Sequence, residues 1–249
     1  MQAESTQRQH YNRIAAEYEA QYGDPDGISY REKFLYEPMF GGLDLEGRSV
    51  LEGLSGSGHA TDYLTTQKRA MVTGLDISEE AIASFKARWP RCQAICAPIN
   101  ASGLRDESFD FVVVVMGLHH LHPHLADALR EIHRILRKGG VFCFAEPHQR
   151  SVLSRLRAIW YRHDSLFADN EESLDMEALK REFENLFKFK LEKYVGGAAY
   201  LLVFNSMIFR VPLWLKRIYS PAVMRLENML SGLHSPAFSL AVLCQWEKK

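Results

Sequence analysis

The 249-residue sequence predicts an α/β fold, a doubly wound and mostly parallel sheet, on three observations. From residue 47 strand-like and helix-like segments alternate, Phe109 to Met116 is apolar but for Asp110 near its start, and the first strand runs into a glycine-rich turn, Val50-Leu-Glu-Gly-Leu-Ser-Gly-Ser-Gly58. Alternation implies right-handed βαβ crossovers. A strand apolar at nearly every position belongs inside a sheet that is covered on both faces.

Residues 5–22 place Tyr11, Ile14, Ala15, Tyr18 and Tyr22 on one helix face, and Gly23, Pro25 and Gly27 stop that helix. Arg48 to Glu52 is the first strand and 59–68 the helix after it; Ala70 to Asp76 is the second strand. Ser78, with Glu80 and Ala81 following, reads as the N-cap of a helix that runs to Trp89 and ends at Pro90. Strands follow at 93–97, 109–116 and 141–145, with a helix from His124 to Arg137 closed by Gly139-Gly140. A further helix is expected at 174–187, and the alternating runs 187–195 and 238–246 read as an antiparallel closing pair. The chain is read as one domain: an N-terminal helical cap (1–45), a core (46–197 and 233–249) and a helical insertion or lid (198–232).

Apolar residues make up 47% of the chain and charged residues 24%, the composition of a globular protein and not of a disordered one. A net charge of −1 gives no chain-wide attraction to nucleic acid or to anionic membrane. Cys92, Cys96, Cys143 and Cys244 lack paired spacing and are read as reduced thiols of a cytoplasmic protein. The polar, mixed-charge start is not a signal peptide.

Ligands of such sheets bind beyond the carboxyl ends of the strands. Gly56 and Gly58 let backbone approach a ligand closely, and free N–H groups of the next helix face the same place. A dinucleotide turn needs a third glycine, and His59, Ala60 and Thr61 stand where it belongs, which argues against a nicotinamide oxidoreductase. Asp76 ends the second strand 18 residues past Gly58, where a carboxylate can accept both hydroxyls of a ribose; Ile77 beside it can cover an adenine face.

These segments, with Gly74-Leu-Asp-Ile-Ser78, Asp106-Glu-Ser-Phe-Asp-Phe-Val112, Leu118-His-His-Leu121 and Ala128 to Gly140, resemble the class I S-adenosylmethionine-dependent methyltransferases. The closest look is to the small-molecule branch of ubiquinone and menaquinone biosynthesis. The resemblance covers roughly 47–147 and the helix near Tyr11 and Tyr18. It implies a Rossmann-like, seven-stranded sheet with an antiparallel last strand, and S-adenosylmethionine as cofactor. It further implies that Glu52 and the loop Gly53, Leu54, Gly56 and Gly58 hold the methionyl end, that Asp76 and Ile77 hold the nucleoside, and that Met116, Gly117 and Leu118 line the sulfonium. Tyr11 and Tyr18 then reach the cofactor carboxylate or are ordinary core aromatics. Two positions depart from the family. Leu54 stands where glycine or alanine is usual, which either crowds the cofactor or shifts the turn's register. No acid lies near 98, so within Ala97 to Asn100 the adenine is left to Ile99 and to the Asn100 carbonyl or the backbone.

The expected activity is transfer of the cofactor's methyl group to a small, apolar or aromatic metabolite. A sulfonium methyl is already activated, so alignment matters most, and an oxygen or carbon acceptor also needs a base. Candidates are His119, His120 and Glu146, with His148 next; the histidines of this region lack the partners of a zinc site, so no metal is expected. The alternative is a cofactor-binding member of the fold that does not methylate. Sixteen uncharged residues between Lys193 and Arg210 are too few to span a membrane, and Trp214, Lys216 and Arg217 follow as an aromatic and basic edge. The insertion is an apolar lid, a dimer interface or a peripheral membrane contact. The expected partners are a small-molecule acceptor and no nucleic acid, for a monomer or homodimer.

Overall fold

The computed structural model describes residues 23–152 and 173–249. Seven strands form one sheet in the order β3-β2-β1-β4-β5-β7-β6. They are β1 (Ser49–Gly53), β2 (Met71–Asp76), β3 (Gln93–Cys96), β4 (Phe109–Val115), β5 (Leu136–Pro147), β6 (Phe187–Val195) and β7 (Ala241–Lys248). β1 to β5 pair in parallel, and β7 runs antiparallel to both β5 and β6. The mostly parallel sheet with an antiparallel last strand is thus as the sequence predicts.

Side chains alternate across each strand, so neighbours feed opposite cores. Phe111 and Val113 join Val50, Val72 and Leu243 on one face, while Val112 and Val114 join Leu51, Phe142 and Cys244 on the other. The second face is covered by α4 (Leu125–Ile135), whose Leu125, Ala128, Leu129, Ile132 and Ile135 recur at helical spacing, and by α5 (Met176–Phe183). α2 (Thr61–Thr66) and α3 (Glu79–Arg88) fill the first two crossovers. Ser78 caps α3 by accepting from Ala81 N at 3.1 Å, as its sequence position predicts.

The expected helix at 5–22 lies outside the described residues. Two readings change. Where Gly23, Pro25 and Gly27 are expected only as helix breakers, Asp24 caps a helix, α1 (Pro25–Tyr30), accepting from Asp26 N and Gly27 N, with proline in the first turn. The chain continues through a π-helical turn, Arg31–Tyr36, to Glu37–Met39. The helices expected at 124–137 and 174–187 are shorter, because Leu136 already pairs with Phe109 in the sheet and Phe187 already pairs with Lys248.

The insertion divides into two parts. Its first half is a π-helical turn, Tyr200–Phe204, and a 3-10 turn, Ser206–Phe209, in which Tyr200, Val203, Phe204 and Ile208 are buried. Tyr200 meets the ring of Tyr30 of α1 edge-on and Phe204 stacks on it, at centroid distances of 6.3 and 5.5 Å. Its second half is α6 (Leu213–Met229), anchored by a buried ion pair in which Lys216 Nζ lies 2.6 Å from Asp24 Oδ2. Lys216 therefore does not belong to a solvent-facing basic edge. Removing one partner of a buried pair leaves the other charge without compensation, so Lys216→Ala should cost about 3–5 kcal/mol in urea unfolding. Lys216→Met with Asp24→Asn, which keeps the cap, should recover most of it; no recovery would contradict a primarily electrostatic cost.

Candidate functional site

At the carboxyl end of β1 the backbone turns sharply. Leu54, Gly56 and Gly58 all have positive φ, of 54°, 53° and 88°. Glycine takes this region freely, whereas a leucine there is strained by its own Cβ. Gly53 is the last residue of β1, and Leu54 follows it in a left-handed conformation. Its side chain lies against the loop after β4, where a Cβ on Gly117 would come 2.8 Å from Leu54 Cδ1.

Two carboxylates hold this turn, Glu52 buried and Asp76 half-buried. Glu52 accepts from Ala60 N at 2.8 Å and from the Thr61 hydroxyl, fixing the start of α2. Asp76 accepts from Gly56 N and from Ser78 N, both at 2.9 Å, and so ties the end of β2 to the β1 turn. Trp89 Nε1 donates to Ser57 O at 3.1 Å, and a Cβ at Gly58 would collide with its indole. Sequence spacing marks Trp89 only as a helix end and Thr61 only as a residue in place of a third glycine; both prove to brace the turn.

The loop after β4 is held from β5. Glu146, fully buried, accepts from Gly117 N at 2.6 Å and Leu118 N at 2.8 Å, and its Oε2 lies 2.7 Å from His119 Nδ1. The expectation that Glu146 is itself a base for the acceptor is corrected: its oxygens are engaged with backbone and His119, and no part of it is exposed. His120 lies against His119, ring centroids 3.8 Å apart. His148 is buried and bonded through Nε2 to Ser239 O at 2.9 Å, a structural place. Met116, with φ 54°, donates its N–H to Ala145 O at 2.8 Å and receives the Tyr200 hydroxyl on its sulfur at 3.7 Å. The insertion therefore reaches the site, a contact that sequence reading of the insertion as a lid does not assign to any residue.

The structure thus gathers Glu52, Gly53, Leu54, Gly56, Gly58, Asp76, Ile77, Met116, Gly117, Leu118, His119 and His120 at the carboxyl ends of β1, β2 and β4. Ile99 is buried behind the turn against Gly53 and Val114, in the core, while Asn100 beside it is half-buried. Tyr11 and Tyr18 lie outside the described residues. Among the described residues no group of three or more His, Cys, Asp or Glu is placed to hold a metal ion, and no helix is long and apolar enough to cross a membrane.

The donor chemistry fits an adenosyl sulfonium. Asp76 accepts from the backbone N–H groups of Gly56, Ile77 and Ser78, and the roughly four lone-pair sites of a carboxylate leave room for a further donor such as a ribose hydroxyl. Glu52 accepts from Ala60 N and from both the hydroxyl and the backbone N–H of Thr61, which likewise leaves room for a further donor such as an ammonium group. Burial pushes Glu52 and Glu146 up to about 7 each, against the pull of their hydrogen bonds, and raises Asp76 as well.

Part of the chain is similar to known proteins. Residues 51–144 match the methyltransferase domain family. A phthiotriol/phenolphthiotriol dimycocerosates methyltransferase of Mycobacterium tuberculosis is 36% identical over 127 residues, which are 50% of this chain and 47% of that protein. A probable S-adenosylmethionine-dependent methyltransferase of Mycolicibacterium smegmatis is 35% identical over 103 residues, 41% of this chain and 39% of that one. The chain thus spans about half or less of the length of these curated relatives. In fold it is similar to an S-adenosylmethionine-dependent methyltransferase of Thermotoga maritima, with a TM-score of 0.62, 19% identity and coverage of 97% and 99% of the two chains.

The raised carboxyls give a pH dependence with a definite sign. A carboxyl whose folded value of about 7 exceeds its ordinary 4.5 stabilises the fold below the ordinary value, and that stability is lost as pH rises through about 7. Unfolding free energy should therefore fall between about pH 5 and about pH 8, and Glu146→Gln should flatten the slope by on the order of 1–2 kcal/mol. Identical slopes for the two proteins would refute this assignment.

Proposed function

We propose that this chain, whose core is a class I S-adenosylmethionine-dependent methyltransferase domain, transfers the cofactor's methyl group to a small apolar or aromatic acceptor. The observation that carries the reading is the joining of Asp76 to the β1 turn: a carboxylate with remaining acceptor capacity stands beside a backbone that Gly56 and Gly58 leave bare. Asp76 would hold the ribose hydroxyls, Glu52 the ammonium end, and the Met116 to Leu118 loop the region of the sulfonium. When bound, the cofactor supplies an activated methyl group. The protein's task is then alignment and exclusion of water.

His119 is the base of this reading where the acceptor needs one. With Nδ1–H given to Glu146, Nε2 is the basic nitrogen, and Glu146 acts as the group that positions it. The apolar character of the acceptor is supported by the aromatic cluster of Tyr30, Phe34, Tyr200 and Phe204, which reaches Met116 through the Tyr200 hydroxyl. The quinone-biosynthesis branch, a cytoplasmic location and a monomeric or homodimeric state belong to the same proposal.

One observation favours a second reading, a domain that binds the cofactor without passing on its methyl group. Leu54 meets Gly117 at the seam between the two loops that would flank the sulfonium. Calorimetry and product assay separate the two. S-adenosylhomocysteine should bind the native chain, at least about 30-fold more weakly after Asp76→Ala, which removes two charge-assisted hydrogen bonds. Leu54→Gly should tighten binding by about 3–10-fold; unchanged affinity would put the isobutyl group outside the cofactor's volume. With an apolar acceptor series, methylated product is expected, and His119→Ala should lower kcat by about a hundredfold without a matching loss of cofactor affinity. Methylation of polar acceptors only would defeat the acceptor assignment, and cofactor binding with no product from either series would favour the second reading.

A further inference from the structure

Helix α6 is built inside out. The face it buries carries Lys216, Ser220 and Glu227, and the face it turns outward carries Trp214, Ile218 and Met229, which are 67%, 69% and 80% exposed. On a helix of 3.6 residues per turn these three fall on one side, with Leu215 and Leu226 beside them. The polar anchors set this rotation. Lys216 is paired with Asp24, and Glu227 accepts from Gly197 N at 2.6 Å and Ala199 N at 3.0 Å and lies 3.3 Å from His234 Nε2. Rolling the helix to hide its apolar side would break all of these bonds. Leu233 and Phe238, which follow the helix in sequence, are 70% and 65% exposed.

Among the described residues, the exposed charges of α6 and of the turns beside it have one sign. From residue 198 to 240 the only acid is Glu227, which is buried, while Arg210, Arg217 and Arg225 are exposed. Asp26, half-buried, faces Lys216 and Arg217 from α1, and Arg225 stands within the apolar stripe itself. A second copy of the chain seated two-fold on this face would bring more arginines and no exposed acid from the same segment. An anionic lipid surface supplies what both features lack: acyl chains for the tryptophan and aliphatic side chains, and phosphates for guanidinium groups whose stems lie along the apolar stripe.

We propose that the outward face of α6, with Leu233 and Phe238, docks on the surface of an anionic lipid bilayer. The inference stands on this surface alone and not on the methyl-transfer reading. Together the two give a route for an apolar acceptor, because α6 packs on the turn that carries Tyr200, and Tyr200 touches Met116.

The test is co-sedimentation of the full chain with vesicles, without cofactor or acceptor. Binding is expected to phosphatidylcholine vesicles containing about a quarter phosphatidylglycerol, and to be about tenfold weaker or more with phosphatidylcholine alone or at high salt. The double variant Ile218→Ser/Met229→Ser should lose about tenfold or more in vesicle affinity, and Arg225→Gln several-fold with a shallower salt dependence. All three side chains point away from the core, so thermal unfolding followed by circular dichroism should be unchanged. No sedimentation with anionic vesicles, or equal binding by the double variant, overturns the proposal. So does a concentration-dependent dimer that the double variant abolishes while vesicle binding is absent, which would give the face to a second copy.

Discussion

The architecture of the site depends on carboxylates sunk at the ends of strands and satisfied by backbone N–H groups. Glu52 at β1 holds the start of α2, Asp76 at β2 holds the β1 turn, and Glu146 at β5 holds the loop after β4. Each joins its strand to a loop that regular pairing does not reach. A loop whose N–H groups point inward at a fixed anion has little freedom to collapse into the crevice that it borders. Burial makes this costly, raising all three carboxyls toward neutrality, and the N–H donors offset part of that cost.

Much of this was legible in the sequence because the relevant physics is local. The strands of the sheet announce themselves by apolar runs, Ser78 by its place before a helix, and Asp76 by its distance from Gly58. What a buried carboxylate bonds to is not local. Glu146 sits where a base would sit, and nothing in its neighbours along the chain indicates that Gly117 and Leu118, about thirty residues away, have claimed its oxygens. Trp89 is hidden for the same reason. Its indole reaches a carbonyl 32 residues earlier, across the β2 crossover.

The insertion was harder to read, because composition gives the amount of apolar surface and not its direction. A stretch rich in Leu, Val, Phe and Trp predicts burial, and its first half is buried against Tyr30. In α6 the rule is reversed. The long-range partner Asp24 draws Lys216 inward, Gly197 and Ala199 draw Glu227 inward, and the apolar residues are left outside by rotation alone. Periodicity identifies the two faces of such a helix but cannot say which of them meets the protein.

Leu54 and Met116 bring these threads to one place. They directly follow the first and fourth strands, they are not glycine, and both are held in left-handed backbone, at φ 54°. A side chain in that region costs on the order of 1 kcal/mol and persists only where its surroundings over-determine it. Here they do. Leu54 follows a strand whose register β2 and β4 set from both sides, and it meets Gly117; Met116 is bonded to Ala145 and capped by the hydroxyl of Tyr200. The strain therefore sits on the two residues that close the crevice between the loops, one tied to the β1 turn and the other to the insertion. Movement of α6 would be felt first at Tyr200 and then at Met116, which makes the seam between these two strand ends the point where the insertion and the β1 turn can influence one another.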